Sequence, residues 1–233
     1  MKSLILKVTL ILLTCVLAVW AFNATSSSKQ GPDLVPSRNR LKWHAAEAKK
    51  EGKQRVVIAT DIAEYGGSAS DIDQASSFYT IVIAEPVEKR TYEYDDNSLQ
   101  TWYRFRILER LTEVKPPGCY GCFDITPPLD MPFDHTSEFL VPRGGGTITL
   151  DGVQVEEKEQ GFPEFQEGQK YLLFVELYPN GVGTTAGGPL GVFVVESNEH
   201  LKPLQPQENL IGNGMNGKFQ NSLKNLKLKL SNR

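Results

Sequence analysis

FYTIVIAEPVEKRTYEYDDNSLQTWYRFRILERL, residues 78–111, decides the fold. From Phe78 to Ala84 the run is β-branched and aromatic, and Val87 to Tyr94 continues extended beyond Pro86, a residue that a central strand tolerates only at a bulge. Asp95, Asp96 and Asn97 supply turn chemistry. The chain then returns from Leu99 to Leu111, where Tyr103, Phe105 and Ile107 alternate with Arg104, Arg106 and Leu108. These features predict a long twisted hairpin. Its parity sends Tyr103 and Phe105 inward and leaves Trp102, Arg104 and Arg106 on the opposite side, an aromatic and cationic set suited to a ligand-binding face.

Working outward, strand signals resume at Glu138 to Val141. Thr147 to Leu150, the turn Asp151-Gly152 and Val153 to Val155 make a second hairpin with a favoured two-residue connection. Gly144, Gly145 and Gly146 just before it read as a turn. Lys170 to Leu177 is a buried-type strand, Pro179-Asn180-Gly181 turns the chain, and Leu190 to Glu196 is a last strand, giving about seven or eight in all. On the amino-terminal side Ser37 can cap a helix over Leu41 to Glu51 whose thin apolar face is Leu41, Ala45 and Ala48, with Gly52 as its stop. A short strand over Arg55 to Thr60 and a helical turn from Ser70 to Ser76 follow. Strands do not alternate regularly with helices, so the fold class is mainly β, an antiparallel small barrel (OB-like) or sandwich with an N-terminal helix and a C-terminal basic helix.

Glu113 to Ser137 breaks the pattern with prolines, acids and Cys119-Tyr120-Gly121-Cys122, and is too long for an ordinary connection. In an exported protein two thiols at this spacing are expected to be oxidised to one another, rigidifying the loop. A redox pair would want a helix N-terminus and a βαβ setting, and a zinc site would need two further ligands where the chain offers only His44, His135 and His200. Asp124, Asp130, Asp134, His135 and Glu138 can be drawn as an acid-base cluster, although such residues are also what a solvated loop carries. The chain has no Gly-x-Ser-x-Gly elbow, His-Glu-x-x-His, phosphate loop or dinucleotide fingerprint, so no catalytic, cofactor or metal residue is assigned.

Residues 1–22 open with Lys2 and Lys7 and run apolar to Phe22, which reads as a signal peptide or, uncleaved, an N-terminal membrane anchor. Val-Trp-Ala at Val19 to Ala21 is a workable cleavage site. Residues 23–40 are a Ser-, Gly- and Pro-bearing linker, 41–200 the β-rich domain, and 201–233 a basic flexible tail. In that tail Phe219, Leu223, Leu226 and Leu230 form one apolar stripe with lysines outside it, an amphipathic helix able to dock on the domain, a partner or an anionic membrane. Gly212, Gly214 and Gly217 make its connection flexible. A net charge of -3 argues against nucleic acid as a partner.

The stretches Phe162 to Val175, Gly188 to Phe193 and Trp102 to Glu109 resemble a family of uncharacterised exported bacterial β-rich proteins, marked by a Cys-x-x-Cys loop and an F-x-x-G-x-x-Y-L-L-F strand motif. In this chain the motif is Phe165, Gly168, Tyr171, Leu172, Leu173 and Phe174. The resemblance implies export from a bacterial cell and a shared fold, and it carries no catalytic residue. The expectation is therefore a non-enzymatic, envelope-associated binding or structural domain, extracellular, periplasmic or on the outer face of the cytoplasmic membrane, taking a protein, glycan or small ligand. The alternative is an envelope thiol oxidoreductase or hydrolase that uses the Cys119 to Glu138 loop.

Overall fold

Antiparallel pairing joins β2 (Thr80–Tyr94) to β3 (Ser98–Arg110), as the alternation predicts. The computed structural model describes residues 39–60, 72–94, 97–114, 125–205 and 210–232. Pro86 does not end the strand. It sits opposite Phe105, and the ladder shifts register between Pro86 and Glu88, so the missing N–H falls at a bulge and the ribbon continues to Tyr94.

Five more strands complete the large sheet: β4 (Glu138–Gly144), β7 (Tyr171–Leu177), β8 (Gly183–Thr185), β9 (Val192–Val195) and β10 (Leu201–Pro203). The order is β10-β9-β7-β2-β3-β4, all antiparallel, with β8 also on β7. Both faces of its centre are covered. Val82, Ala84, Tyr103, Phe105, Phe139, Tyr171, Leu173 and Val192 share one face, closed by Phe162 and Phe165 from the loop before β7. The opposite parity, Ile81, Ile83, Leu172, Phe174 and Phe193, lies under the helices. Burial on both faces explains why β7 reads as an unbroken apolar run.

Among the described residues the sheet does not close into a barrel. Its nearest approach to closure is a single bridge between Leu140 of β4 and Val182, where the Leu140 N–H donates to the Gly181 carbonyl at 3.0 Å.

A second sheet is built from β1 (Arg55–Thr60), β5 (Gly146–Leu150) and β6 (Val153–Glu159), in the order β1-β6-β5. β5 and β6 form the Asp151-Gly152 hairpin, whereas β1 pairs β6 in parallel. Helix α1 (Arg40–Lys50) lays Leu41, Ala45 and Ala48 over Ile58, Val153 and Val155, the thin face foreseen for it. The Ser37 cap lies outside the described residues. Glu157, buried among these elements, accepts the Leu99 N–H and a 3.1 Å bond from Arg40 Nη1. One carboxylate thus ties α1, the small sheet and the hairpin together.

The chain passes from the large sheet to the small one through Gly144, Gly145 and Gly146. Gly145 has φ 77° and Gly146 φ 140°, and a Cβ on Gly146 would collide with the Thr91 and Thr101 side chains. The Thr101 hydroxyl that fills this space donates to the Gly145 carbonyl at 2.7 Å and sits 2.9 Å from the Thr91 hydroxyl.

The described residues of the tail beyond residue 200 pack on the domain. β10 extends the large sheet, and Leu201, Ile211, Met215, Phe219, Leu223 and Leu226 join the core beside α2 (Ile72–Phe78). The glycine-rich connection is helix α3 (Leu210–Phe219), and the reason is packing rather than propensity: a Cβ on Gly214 would stand 3.0 Å from Ile72 Cγ2, so glycine lets α3 approach α2. Gln220 and Asn221 reverse the chain with φ 52° each, and α4 (Leu223–Ser231) follows, Ser222 capping it by accepting the Asn225 N–H. The apolar stripe read from the sequence therefore spans two helices and faces the core.

Candidate functional site

Cys119, Cys122 and Asp124 lie outside the described residues. Both flanks of their loop are held. Thr80 exchanges hydrogen bonds with the Val114 backbone, its hydroxyl accepting the N–H at 3.1 Å, and Asn180 Nδ2 donates to the Ile125 carbonyl at 2.9 Å.

The expected ligand face is covered at Trp102 and in part at Arg104. Residues 125–137 fold back as a strap over the outer side of the hairpin, and Met131 packs against Trp102, Leu140 and Val182. Trp102 is 3% exposed and its indole N–H donates to Gln100 Oε1 at 2.9 Å, so it does not present a surface to a ligand. Arg104 is engaged by Glu88 at 2.9 Å, Glu138 at 3.5 Å and the Pro132 carbonyl at 3.3 Å. Arg106 stays exposed but pairs with Glu85 across the ladder. Parity was legible, whereas a cover arriving from an irregular segment leaves no periodic signal.

The strap's acidic residues fasten it. Asp130 accepts Tyr92 Oη at 2.8 Å and Arg90 Nη1 at 3.1 Å, and Arg90 also reaches the Asp130 carbonyl at 2.7 Å. The Tyr92 hydroxyl first, and Arg90 with it, hold the Asp130 carboxyl below its ordinary range. Asp134 closes a small turn by accepting the Thr136 N–H at 3.0 Å and the Ser137 hydroxyl at 2.7 Å, and the same bonds, the Thr136 N–H foremost, lower its pKa. Glu138 accepts the Asp134 N–H as well as Arg104. His135 packs on the Phe133 ring, centroids 4.3 Å apart. The structure thus gives Asp130, Asp134 and Glu138 separate fastening tasks. Each carboxylate is an acceptor in the arrangement, and the two with depressed pKa values are poor proton donors at neutral pH.

At the strap's crown, Pro128 to Met131 forms a turn closed by the Met131 N–H to the Pro128 carbonyl at 3.2 Å. Met131 points in and Leu129 points out, fully exposed. Beside the strap opens a cleft of about 230 Å³ whose lining includes Thr80, Arg110, Glu113, His135, Glu138 and Tyr178.

A second cleft, about 540 Å³, has Arg143 in its wall with Phe162 and Glu159. Sequence reasoning did not single Arg143 out, because one arginine in a strand has no motif around it. It is 6% exposed, donates through Nε to the Phe162 carbonyl at 3.0 Å and lies 5.4 Å over the Phe162 ring. These bonds latch the loop that carries Phe165. The Tyr103 hydroxyl faces this guanidinium without closing a hydrogen bond of ordinary geometry, and burial pushes its pKa up to about 12. A phenol raised in the folded state contributes stability that is complete below its unfolded pKa near 10 and is lost as pH rises through about 12. Urea unfolding across that window should show Tyr103→Phe losing about 2–3 kcal/mol less than the wild type. At neutral pH the variant should be as stable or more so, since it removes an unpaired buried hydroxyl. An identical alkaline profile in the two proteins contradicts this account.

Among the described residues no group of three or more His, Cys, Asp or Glu side chains is placed to hold a metal ion, and no helix is long and apolar enough to cross a membrane. No family model, curated protein or solved structure matches the chain.

Proposed function

We propose that the chain is an exported, non-enzymatic envelope protein whose β-domain binds a protein partner through the strap, with Leu129 as the contact at its crown. The observation that carries the reading is a fully exposed leucine on a turn fixed by Asp130, Arg90 and Tyr92. An apolar side chain held ready in one position loses little conformational freedom on docking, the feature that makes a rigid loop an effective ligand. The apolar segment over residues 1–22 and the resemblance to exported bacterial proteins support placement at the envelope. On the same reading Cys119 and Cys122 are bonded to each other and stiffen the chain just ahead of the strap, which alkylation before and after reduction reads directly.

An OB-like barrel is the finer reading of the fold. The Leu140–Val182 bridge supports it, because β8 pairs β7 and one bridge away lies β4, so β7-β2-β3-β4 curls back towards its own start. The alternative of a thiol oxidoreductase or hydrolase draws less support, since Asp130, Asp134 and Glu138 hold the strap down.

The test is a photo-crosslinking residue placed at Leu129 in the full chain, produced in its native host, with the same residue at exposed Val57 as the comparison. One discrete adduct in the envelope fraction at 129, absent at 57, is expected. No adduct at 129, or the same pattern at both positions, overturns the proposal.

A further inference from the structure

The helical layer formed by α3 and α4 differs in charge from the rest of the molecule. Between Leu210 and Asn232 the chain carries Lys218, Lys224, Lys227 and Lys229 and no Asp or Glu, although the protein as a whole has a net charge of -3. Leu223, Leu226 and Leu230 are turned to the core, which sends Lys224, Asn225, Leu228 and Lys229 to the outside. Leu228 is 55% exposed at the apex of that face, with Lys224 one turn before it and Lys229 next to it. Lys218 and Lys227 sit at the margins in exposed ion pairs with Asp73 and Glu109, both at 2.6 Å. Asn213 and Asn216 on α3, and Gln220 just after it, are exposed and uncharged.

We propose that this face rests on an anionic lipid surface, Leu228 entering between headgroups and Lys224 and Lys229 meeting the phosphates. The packed core rules out the simpler arrangement in which the apolar stripe of the tail lies on the bilayer, because that stripe is buried under Phe174 and Phe193. What remains outside is a lysine face with one apolar tip, the composition of a surface-lying helix, reversible because it has only one such residue. An apolar tip favours lipid over a soluble acidic polymer, which would leave Leu228 in water.

Partition of the full-length protein onto phosphatidylcholine vesicles with and without phosphatidylglycerol tests this. All variants share the amino-terminal apolar segment, so differences between them read the helix. The wild type should prefer the anionic vesicles. Lys224→Gln with Lys229→Gln should weaken that binding about thirtyfold, about fivefold per lysine. Leu228→Ser should weaken it about tenfold. The substituted positions are exposed, and Lys49→Gln with Lys50→Gln on α1 removes the same charge elsewhere and should leave partition unchanged. Equal binding to both vesicle types, or an equal loss in the α1 variant, overturns the proposal. Binding of soluble polyphosphate as tight as that of vesicles, together with an unaffected Leu228→Ser, replaces lipid by an acidic polymer and also overturns it.

Discussion

Phe165→Ala is expected to lower the unfolding free energy by about 3–5 kcal/mol, the cost of emptying an aromatic-sized space in a packed core. The ring closes one face of the large sheet, meeting Tyr103 at 5.0 Å, Phe105 at 5.0 Å, Tyr171 at 5.2 Å and Phe162 at 5.6 Å between centroids, all edge-on. Such contacts add to simple burial because the positive ring edge meets a negative ring face. Three of these four neighbours, Tyr103, Phe105 and Tyr171, come from β3 and β7, which are anchored in ladders on both sides and so collapse poorly onto the void. Equilibrium urea unfolding measures the loss. A value under about 1 kcal/mol would mean that the loop carrying Phe165 is not part of the cooperative unit.

The second large effect is expected at the passage between the sheets, where Gly146→Ala should cost about 3 kcal/mol or more. Two penalties add there. The backbone at φ 140° disfavours any side chain, and the new methyl would occupy the place of the Thr101 hydroxyl, itself bonded to the Gly145 carbonyl. Gly152→Ala is the informative comparison: its φ of 83° is also positive, but nothing lies within 4 Å of the added carbon. That variant should lose only about 1 kcal/mol, so the difference in urea midpoint isolates the collision from the backbone. Equal losses at the two positions would show that crowding at Thr101 is unimportant.

The hairpin was legible because its signal is local. Alternation from Leu99 onward and the inward parity of Tyr103 and Phe105 are set by a pleat that repeats every two residues, and the same holds for the Asp151-Gly152 hairpin. Helix α1 was legible from Leu41, Ala45 and Ala48. What the sequence hid depends on distant partners. Three glycines look like a flexible link until Ile72 is found against Gly214, whereas the bulge at Pro86 was foreseen from its own strand. The Trp102, Arg104 and Arg106 face was placed on the correct side of the hairpin and assigned to solvent. Met131 and the carboxylates that cover it arrive from an irregular stretch whose course no periodicity records. Arg143 was missed for a similar reason, since its meaning lies in a carbonyl nineteen positions away in sequence.

The parallel pairing of β1 with β6 bears on the order in which the molecule assembles. Arg55 meets Glu156 across a sequence separation of 101 residues, while β2–β3 and β5–β6 pair strands that are next to each other in sequence. Closing so long a chain segment costs entropy before any of its contacts form, so both hairpins can precede the completed small sheet. β1, among the first described pieces to be synthesised, has no strand to pair with until β6 has been made. Their sheet is therefore a late event in folding, nucleated by its carboxy-terminal half.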